Sequence, residues 1–216
     1  RRRFSKGDFF SFDLKLFAGG VNYMAYVIRG LFDAQKKGFT KAGLEFRIKS
    51  INTLDGRVLY DGVNLEMQNI CGELSPESCC SSPLLRMNFL TPFRTKVAGK
   101  LIRDFSVTAF IRSLVERVAS LGMLPRDYGF AWMKRNLGDI LNNIDVKHPD
   151  FRWEEMTRFS NRQKTAMQLG GIVGSCELSG AALADLIPLI KAGEIAHIGK
   201  ATTFGLGKYR VEEKND

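Results

Sequence analysis

From Leu84 onward the hydrophobic period of the chain switches between two and 3.6 residues, and the order of the switches leaves few folds open. Leu84-Leu-Arg-Met-Asn-Phe-Leu90 alternates as a strand, ended by Thr91-Pro92. A helix follows from Phe105 to Leu121. Val107, Phe110, Ile111, Leu114, Val115 and Val118 supply its apolar stripe, Phe105, Ala109, Arg112 and Glu116 lie on adjoining turns, and Gly122 stops it. Tyr128 to Asn142 is a second helical stretch with a poorer pattern. Phe151 to Phe159 alternates again, Gly171 to Leu178 is a further strand, and the two predict a hairpin across Asn161–Gly170. Ser179-Gly180 leads into an apolar helix from Ala181 to Ala192, and Tyr209-Arg-Val211 reads as a last strand. The order β-α-(α)-β-β-α-β is ferredoxin-like: an α+β fold with a four-stranded antiparallel sheet and its helices on one face. RNA-recognition modules share this architecture.

The residues before Leu84 carry half of the same pattern. Phe10, Phe12, Leu14 and Leu16 alternate with Ser11, Asp13 and Lys15, which predicts a strand over Phe9–Phe17, closed by Gly19-Gly20. Val21 to Lys37 is helical, with Tyr23, Val27, Leu31 and Ala34 on one face and Lys36-Lys37-Gly38 as its stop. Leu44 to Ile51 alternates, and Asp55-Gly56 predicts a turn into Val58-Leu-Tyr60. Ser75 to Pro83 reads as an exposed linker. The expectation is a partial ferredoxin-like domain with linker over 1–83 and a complete one over 84–216. The chain opens without Met in what reads as the approach to a strand, so a missing upstream portion is expected.

A glycine-rich run joins the last helix to the last strand. Gly199, Gly205 and Gly207 alternate there with Lys200, Thr202, Thr203, Lys208 and Arg210. Glycine admits φ > 0 and close approach of a ligand, successive N–H groups can cradle an anion, and the hydroxyls and cations add donors for phosphate oxygens. A purely structural turn fits the composition equally well. The run is neither a P-loop nor a dinucleotide fingerprint, because each of those opens a helix.

Charge bears on the partner. The net charge is +9, and the excess is spread: twelve basic against nine acidic residues up to Pro83, twenty against fourteen after it. A pI near 9.5 suits a polyanionic partner, nucleic acid being the commonest, with a merely soluble basic surface as the alternative. Cys71, Cys79, Cys80 and Cys176 show no metal-ligand spacing and fit reduced thiols in a cytoplasm. No apolar run approaches the roughly 18 residues of a membrane span, and no signal peptide is visible. No clustered carboxylates of a two-metal nuclease stand out, so neither metal nor cofactor is expected.

Arg158, Arg162, Gln163 and Lys164 crowd the predicted hairpin, where they either contact RNA phosphates or form a solvated tip. Arg94, Lys96 and Lys100 follow the first strand of the second domain, which can place them beside that hairpin. Phe204 either stacks a base or anchors the glycine run in the core. Of the two histidines, His148 reads as a surface turn before Pro149. His197, three residues before Lys200, reads either as loop packing or as an RNA contact or proton carrier.

Four segments in order carry a resemblance: Leu84 to Arg94 (with Leu-Thr-Pro-Phe-Arg), Phe159-Ser-Asn-Arg-Gln-Lys164, Gly170-Gly-Ile-Val-Gly-Ser175 and the glycine-rich run. Over about residues 84–210 the chain resembles the repeat-associated (RAMP) proteins of CRISPR systems, most nearly the CRISPR repeat-RNA endoribonuclease, the sixth CRISPR-associated family. The resemblance implies two ferredoxin-like domains side by side, with repeat RNA and other CRISPR-associated proteins as partners. It implies cleavage by the substrate's own 2′-hydroxyl without a metal ion, leaving a 2′,3′-cyclic phosphate and a 5′-hydroxyl. It also implies a catalytic histidine on the first helix of the N-terminal domain, and here the chain departs from the pattern: no histidine precedes His148, so the main base is expected in the missing upstream portion, with His197 as the candidate within this sequence. The alternative is a non-catalytic subunit that holds guide RNA in an effector complex.

Overall fold

The computed structural model describes residues 5–38, 45–53, 55–67, 84–123, 138–160 and 164–214. The chain divides into two units, residues 1–73 and 74–216.

In the first unit a 3₁₀ turn, Ala18–Tyr23, leads into helix α1, Met24–Lys37. Lys36 and Lys37 stand in its last turn, where the carbonyl end of a helix favours cations, and Gly38 ends it at φ 75°. Strand β1 (Ile51–Asn52) pairs with β2 (Val58–Tyr60) through the turn at Gly56, which takes φ 88°. Phe32 meets Tyr60 edge-on at 5.0 Å between centroids and ties the helix to the hairpin. The strand expected over Phe9–Phe17 joins no ladder, and Phe9 is 88% exposed. Its alternation defines a face but supplies no partner, and none of the described strands pairs with it. Residues 45–50 likewise carry no ladder, so the second expected strand shortens to β1.

The second unit is built on four strands: β3 (Leu84–Phe93), β6 (Asp145–Glu154), β9 (Gly171–Ser179) and β10 (Tyr209–Lys214). They form one antiparallel sheet in the order β10-β3-β9-β6. Two helices cross over it, α2 (Val107–Ser120) from β3 to β6 and α4 (Leu183–Ala196) from β9 to β10. Each crossover skips one strand, which is the ferredoxin-like arrangement. A short helical piece, α3, covers residues 138–142. Small ladders complete the unit: β4 (Lys96–Val97) with β5 (Lys100–Leu101), and β7 (Thr157–Ser160) with β8 (Thr165–Gln168).

The period-two pattern of β3 sends Leu85, Met87 and Phe89 inward and Arg86, Asn88 and Leu90 outward. Helix α2 starts on Ser106, whose hydroxyl accepts the Ala109 N–H at 3.3 Å, and buries Phe110, Ile111, Leu114, Val115 and Val118 against that face. Tyr209, fully buried, donates its hydroxyl hydrogen to the Ile190 carbonyl at 2.5 Å, joining β10 to α4.

Several boundaries differ from the sequence reading, among them the start of β6, at Asp145 and not Phe151. Strand β3 runs on through Pro92 to Phe93, because the ladder slips between Phe89 and Phe93 and a bulge tolerates the missing N–H. Helix α4 continues to Ala196, so Gly193 lies inside it. A Cβ there would collide with Leu114 and the Tyr209 hydroxyl, so this glycine serves close packing and not termination. His148 stands within β6 at φ 48°, on a bulge between Lys147 and Asp150, and not in a turn between elements. Its Nε2 lies 4.0 Å from Glu177, whose carboxyl also takes Lys214 and is held below the usual range mainly by that bond.

Candidate functional site

The strand order brings separated segments to one end of the sheet. β3 leaves the sheet at the end where β9 and β10 enter it. The residues after β3, the hairpin between β6 and β9 and the glycine run before β10 therefore all emerge at that end.

The glycine run is a folded loop over the bulged end of β3. His197 caps α4 at φ 56°, and Gly199, Ala201, Gly205 and Gly207 have φ of 83°, 63°, 83° and 71°. The glycines take positive φ freely, but His197 and Ala201 hold it at a cost, and strain of that kind gathers at binding sites. The loop's own hydrogen bonds hold it. The Lys200 N–H donates to Arg94 O at 2.7 Å, the Gly207 N–H to Pro92 O at 3.0 Å and the Ile198 N–H to Gly207 O at 3.1 Å. Thr91 fastens the far side: its hydroxyl donates to Gly205 O and accepts the Lys208 N–H, both at 2.8 Å. The N–H groups of Lys200, Gly205 and Gly207 are thus taken up inside the chain, the second by Thr202 O. Those three N–H groups are therefore not free to form a backbone nest, and the donors the loop offers are its side chains.

The hairpin is longer than its sequence predicts. The β6–β9 ladder ends at Glu154 and Gly171, and the β7–β8 ladder then carries the hairpin onward, with the Leu169 N–H donating to Met156 O at 2.7 Å between the two. Gly170 sits at this joint, where a Cβ would press on the Glu155 carboxyl and the Trp153 indole. Trp153 Nε1–H donates to Glu155 Oε1 at 2.6 Å, and the Arg103 guanidinium lies 5.0 Å from the centre of the indole.

Two contacts join hairpin to loop. Arg158 on β7 places its Cζ 4.0 Å from the centre of the Phe204 ring. Phe204, 44% exposed, therefore neither anchors the loop in the core nor stands free: an arginine covers it. Arg94 donates from Nη1 to Gly170 O at 2.8 Å while its own carbonyl receives Lys200. Lys96 and Lys100, which follow it in the chain, stand exposed on the β4–β5 ladder.

Lys164 is exposed at the hairpin turn at φ 54°, and Arg162 and Gln163 lie outside the described residues. In the loop Thr203 and Lys200 are exposed, Thr202 and Lys208 half-buried, and Arg210 points to the open face of the sheet beside Asn88. Among the described residues, Arg94, Arg158, Lys164, Lys200, Lys208 and Arg210 make no ion pair with a carboxylate, whereas Lys191, Lys214 and Arg152 each do. A cluster of uncompensated cations raises the local positive potential and draws a polyanion. His197 is half-buried at the base of the loop. Tyr26 on α1 and Tyr23, at the end of the 3₁₀ turn before it, are exposed. Among the described residues no three His, Cys, Asp or Glu side chains gather as a metal site, and no helix is long and apolar enough to cross a membrane.

Thr91 and Gly170 lie in segments that carry the resemblance, but the sequence reading assigned neither a role at the site. The signal for Thr91 was its place in Leu-Thr-Pro-Phe-Arg, read there only as a strand end.

The family model of the CRISPR-associated endoribonuclease Cas6 matches residues 87–209, from the core of β3 to the start of β10. No curated protein matches the sequence. Among solved structures, a partial Cas6-RT-Cas1–Cas2 complex matches at 16% identity and TM-score 0.52, over 89% of this chain and 34% of that one. The product complex of a Thermus thermophilus Cas6 matches at 16% identity and TM-score 0.60, over 88% of this chain and 71% of that one. The chain thus spans about a third of the length of the first of these, and at such identities the likeness is one of fold.

Proposed function

This chain belongs to the family of the CRISPR-associated endoribonuclease Cas6, and we propose that it binds CRISPR repeat RNA through the loop and hairpin of its second unit and cleaves the precursor transcript without a metal ion. The observation that carries this reading is the meeting of a strained, cation-bearing loop with a basic hairpin through Arg158 and Phe204. In the proposal, Lys200, Lys208, Arg158, Lys164 and Arg210 contact phosphates, with Arg162 and Gln163 beside them on the hairpin. Thr202 and Thr203 donate hydroxyls, and Gly205, whose Cβ direction is open, lets the RNA backbone pass close to the chain, while Gly199 and Gly207 let the loop pack on the main chain of Arg94 and Ile198.

The chemistry follows from the substrate. A base removes the proton of a 2′-hydroxyl, and O2′ attacks the adjacent phosphorus. The bond from phosphorus to O5′ breaks, and an acid returns a proton to O5′. The products are a 2′,3′-cyclic phosphate and a 5′-hydroxyl. Cations held at the phosphate stabilise the charge that builds on the phosphorane. His197, at the base of the loop, is the proton carrier this unit offers. The proposed setting is the cytoplasm, with other CRISPR-associated proteins as partners, as in the complex that the fold resembles.

A second reading has its own observation: α1 holds no histidine and presents exposed Tyr26, with Tyr23 exposed just before it, and it casts the chain as a guide-RNA-binding subunit that does not cut. Incubation of end-labelled repeat RNA with the protein in EDTA decides between them. Cutting at one position that is lost when the scissile nucleotide is 2′-deoxy supports the endoribonuclease. Tight binding without cutting supports the second reading, and cutting of the deoxy substrate overturns the mechanism.

A further inference from the structure

Arg94 is half-buried, yet its partner within the chain is a neutral carbonyl. Its Nη1 donates to Gly170 O at 2.8 Å. No carboxylate pairs with it among the described residues. A carboxylate does stand at Gly170, that of Glu155, and it accepts the Trp153 indole N–H instead. A guanidinium carries five N–H donors in a rigid fork, and the chain occupies one of them. Withdrawing a cation from water without a counter-charge is unfavourable, and the geometry leaves the rest of the fork for an anion from outside.

Its place is equally specific. Arg94 follows the bulged end of β3. Its carbonyl holds the Lys200 N–H of the glycine loop, and its side chain holds the joint of the hairpin at Gly170. No other residue described above bonds to both. We propose that Arg94 is an RNA-phosphate ligand, its guanidinium aimed by the Gly170 carbonyl, that takes the phosphate lying between loop and hairpin. The proposal rests on RNA being the partner of this site. Planar guanidinium and phosphate oxygens fit as parallel N–H···O bonds, a geometry a lysine ammonium lacks.

The test uses Arg94→Gln and Arg94→Lys in the full chain with labelled repeat RNA, titrated over a range of salt. Glutamine keeps a neutral donor for Gly170 O and removes the charge. Lysine keeps the charge and removes the fork. One phosphate contact on a single strand contributes a slope of about −0.7 to log affinity against log salt, or about fivefold in affinity at 0.1 M salt. Arg94→Gln is expected to lose both, with an unchanged melting temperature. Arg94→Lys is expected to keep the slope and lose affinity. A wild-type slope in Arg94→Gln overturns the role of Arg94 and leaves the RNA reading standing, because a residue that only braces the joint changes stability and not counterion release. No RNA binding by the wild-type chain overturns the RNA reading and this role with it.

Discussion

Gly205 and Gly207 are two residues apart in one loop, and the structure separates their roles. Both hold left-handed backbone, at φ 83° and 71°. A Cβ on Gly205 would meet nothing within 4 Å, so Gly205→Ala carries left-handed strain alone, about 1–2 kcal/mol. A Cβ on Gly207 would run into the main chain of Ile198, which cannot swing aside as a side chain can. Relief requires the loop to lift, breaking the bonds of 3.1 Å from Ile198 and 3.0 Å to Pro92. Strain plus two hydrogen bonds at about 1 kcal/mol each places Gly207→Ala at about 3–4 kcal/mol. At about 2–4 °C per kcal/mol for a chain of this size, melting followed by circular dichroism should fall by about 2–8 °C for Gly205→Ala and about 6–16 °C for Gly207→Ala. RNA affinity of the folded fraction should suffer in Gly205→Ala, whose new methyl stands on the surface proposed to meet RNA. Equal destabilisation of the two variants, or a larger loss in Gly205→Ala, would refute the argument from the geometry of Ile198.

The stack between hairpin and loop predicts that Arg158→Ala and Phe204→Ala each weaken RNA binding, and that in a double-mutant cycle of stability they couple by about 0.5–1 kcal/mol, the range for an exposed cation–π pair. Additive effects would mean that the two side chains do not meet in solution. For Cys176, burial pushes the thiol up from 9.0 to about 12. The folded state then keeps its proton while the unfolded state ionises, so stability is intact below pH 9 and falls as pH rises from 9 to 12, less steeply in Cys176→Ala. Urea unfolding across that window checks the sign. The buried thiol should also resist a thiol reagent until the protein unfolds.

Periodicity exposed the strands β3 and β9, helix α2 and the hairpin of the second unit before any coordinates, because each writes its buried face into neighbouring positions. The same argument failed where local pattern and tertiary need diverge. Phe9–Phe17 alternates as a strand should, yet a strand exists only with a partner, and the described residues provide none. Gly193 looks like the end of a helix, and it is a contact between α4, Leu114 and Tyr209. Pro92 looks like the end of a strand, and a bulge carries the strand past it.

The candidate site divides along the same line. Residue types alone marked the glycine run and the basic hairpin, since positive φ favours glycine and phosphate favours cations. Composition left open whether those segments meet. Arg94 and Gly170 lie 76 positions apart and Thr91 and Gly205 lie 114 apart, far beyond the reach of any period along the chain. The strand order β10-β3-β9-β6 decides it. Antiparallel neighbours put the exit of β3 and the entries of β9 and β10 at one end of the sheet, and only there can Arg94 hold the hairpin and the loop at once.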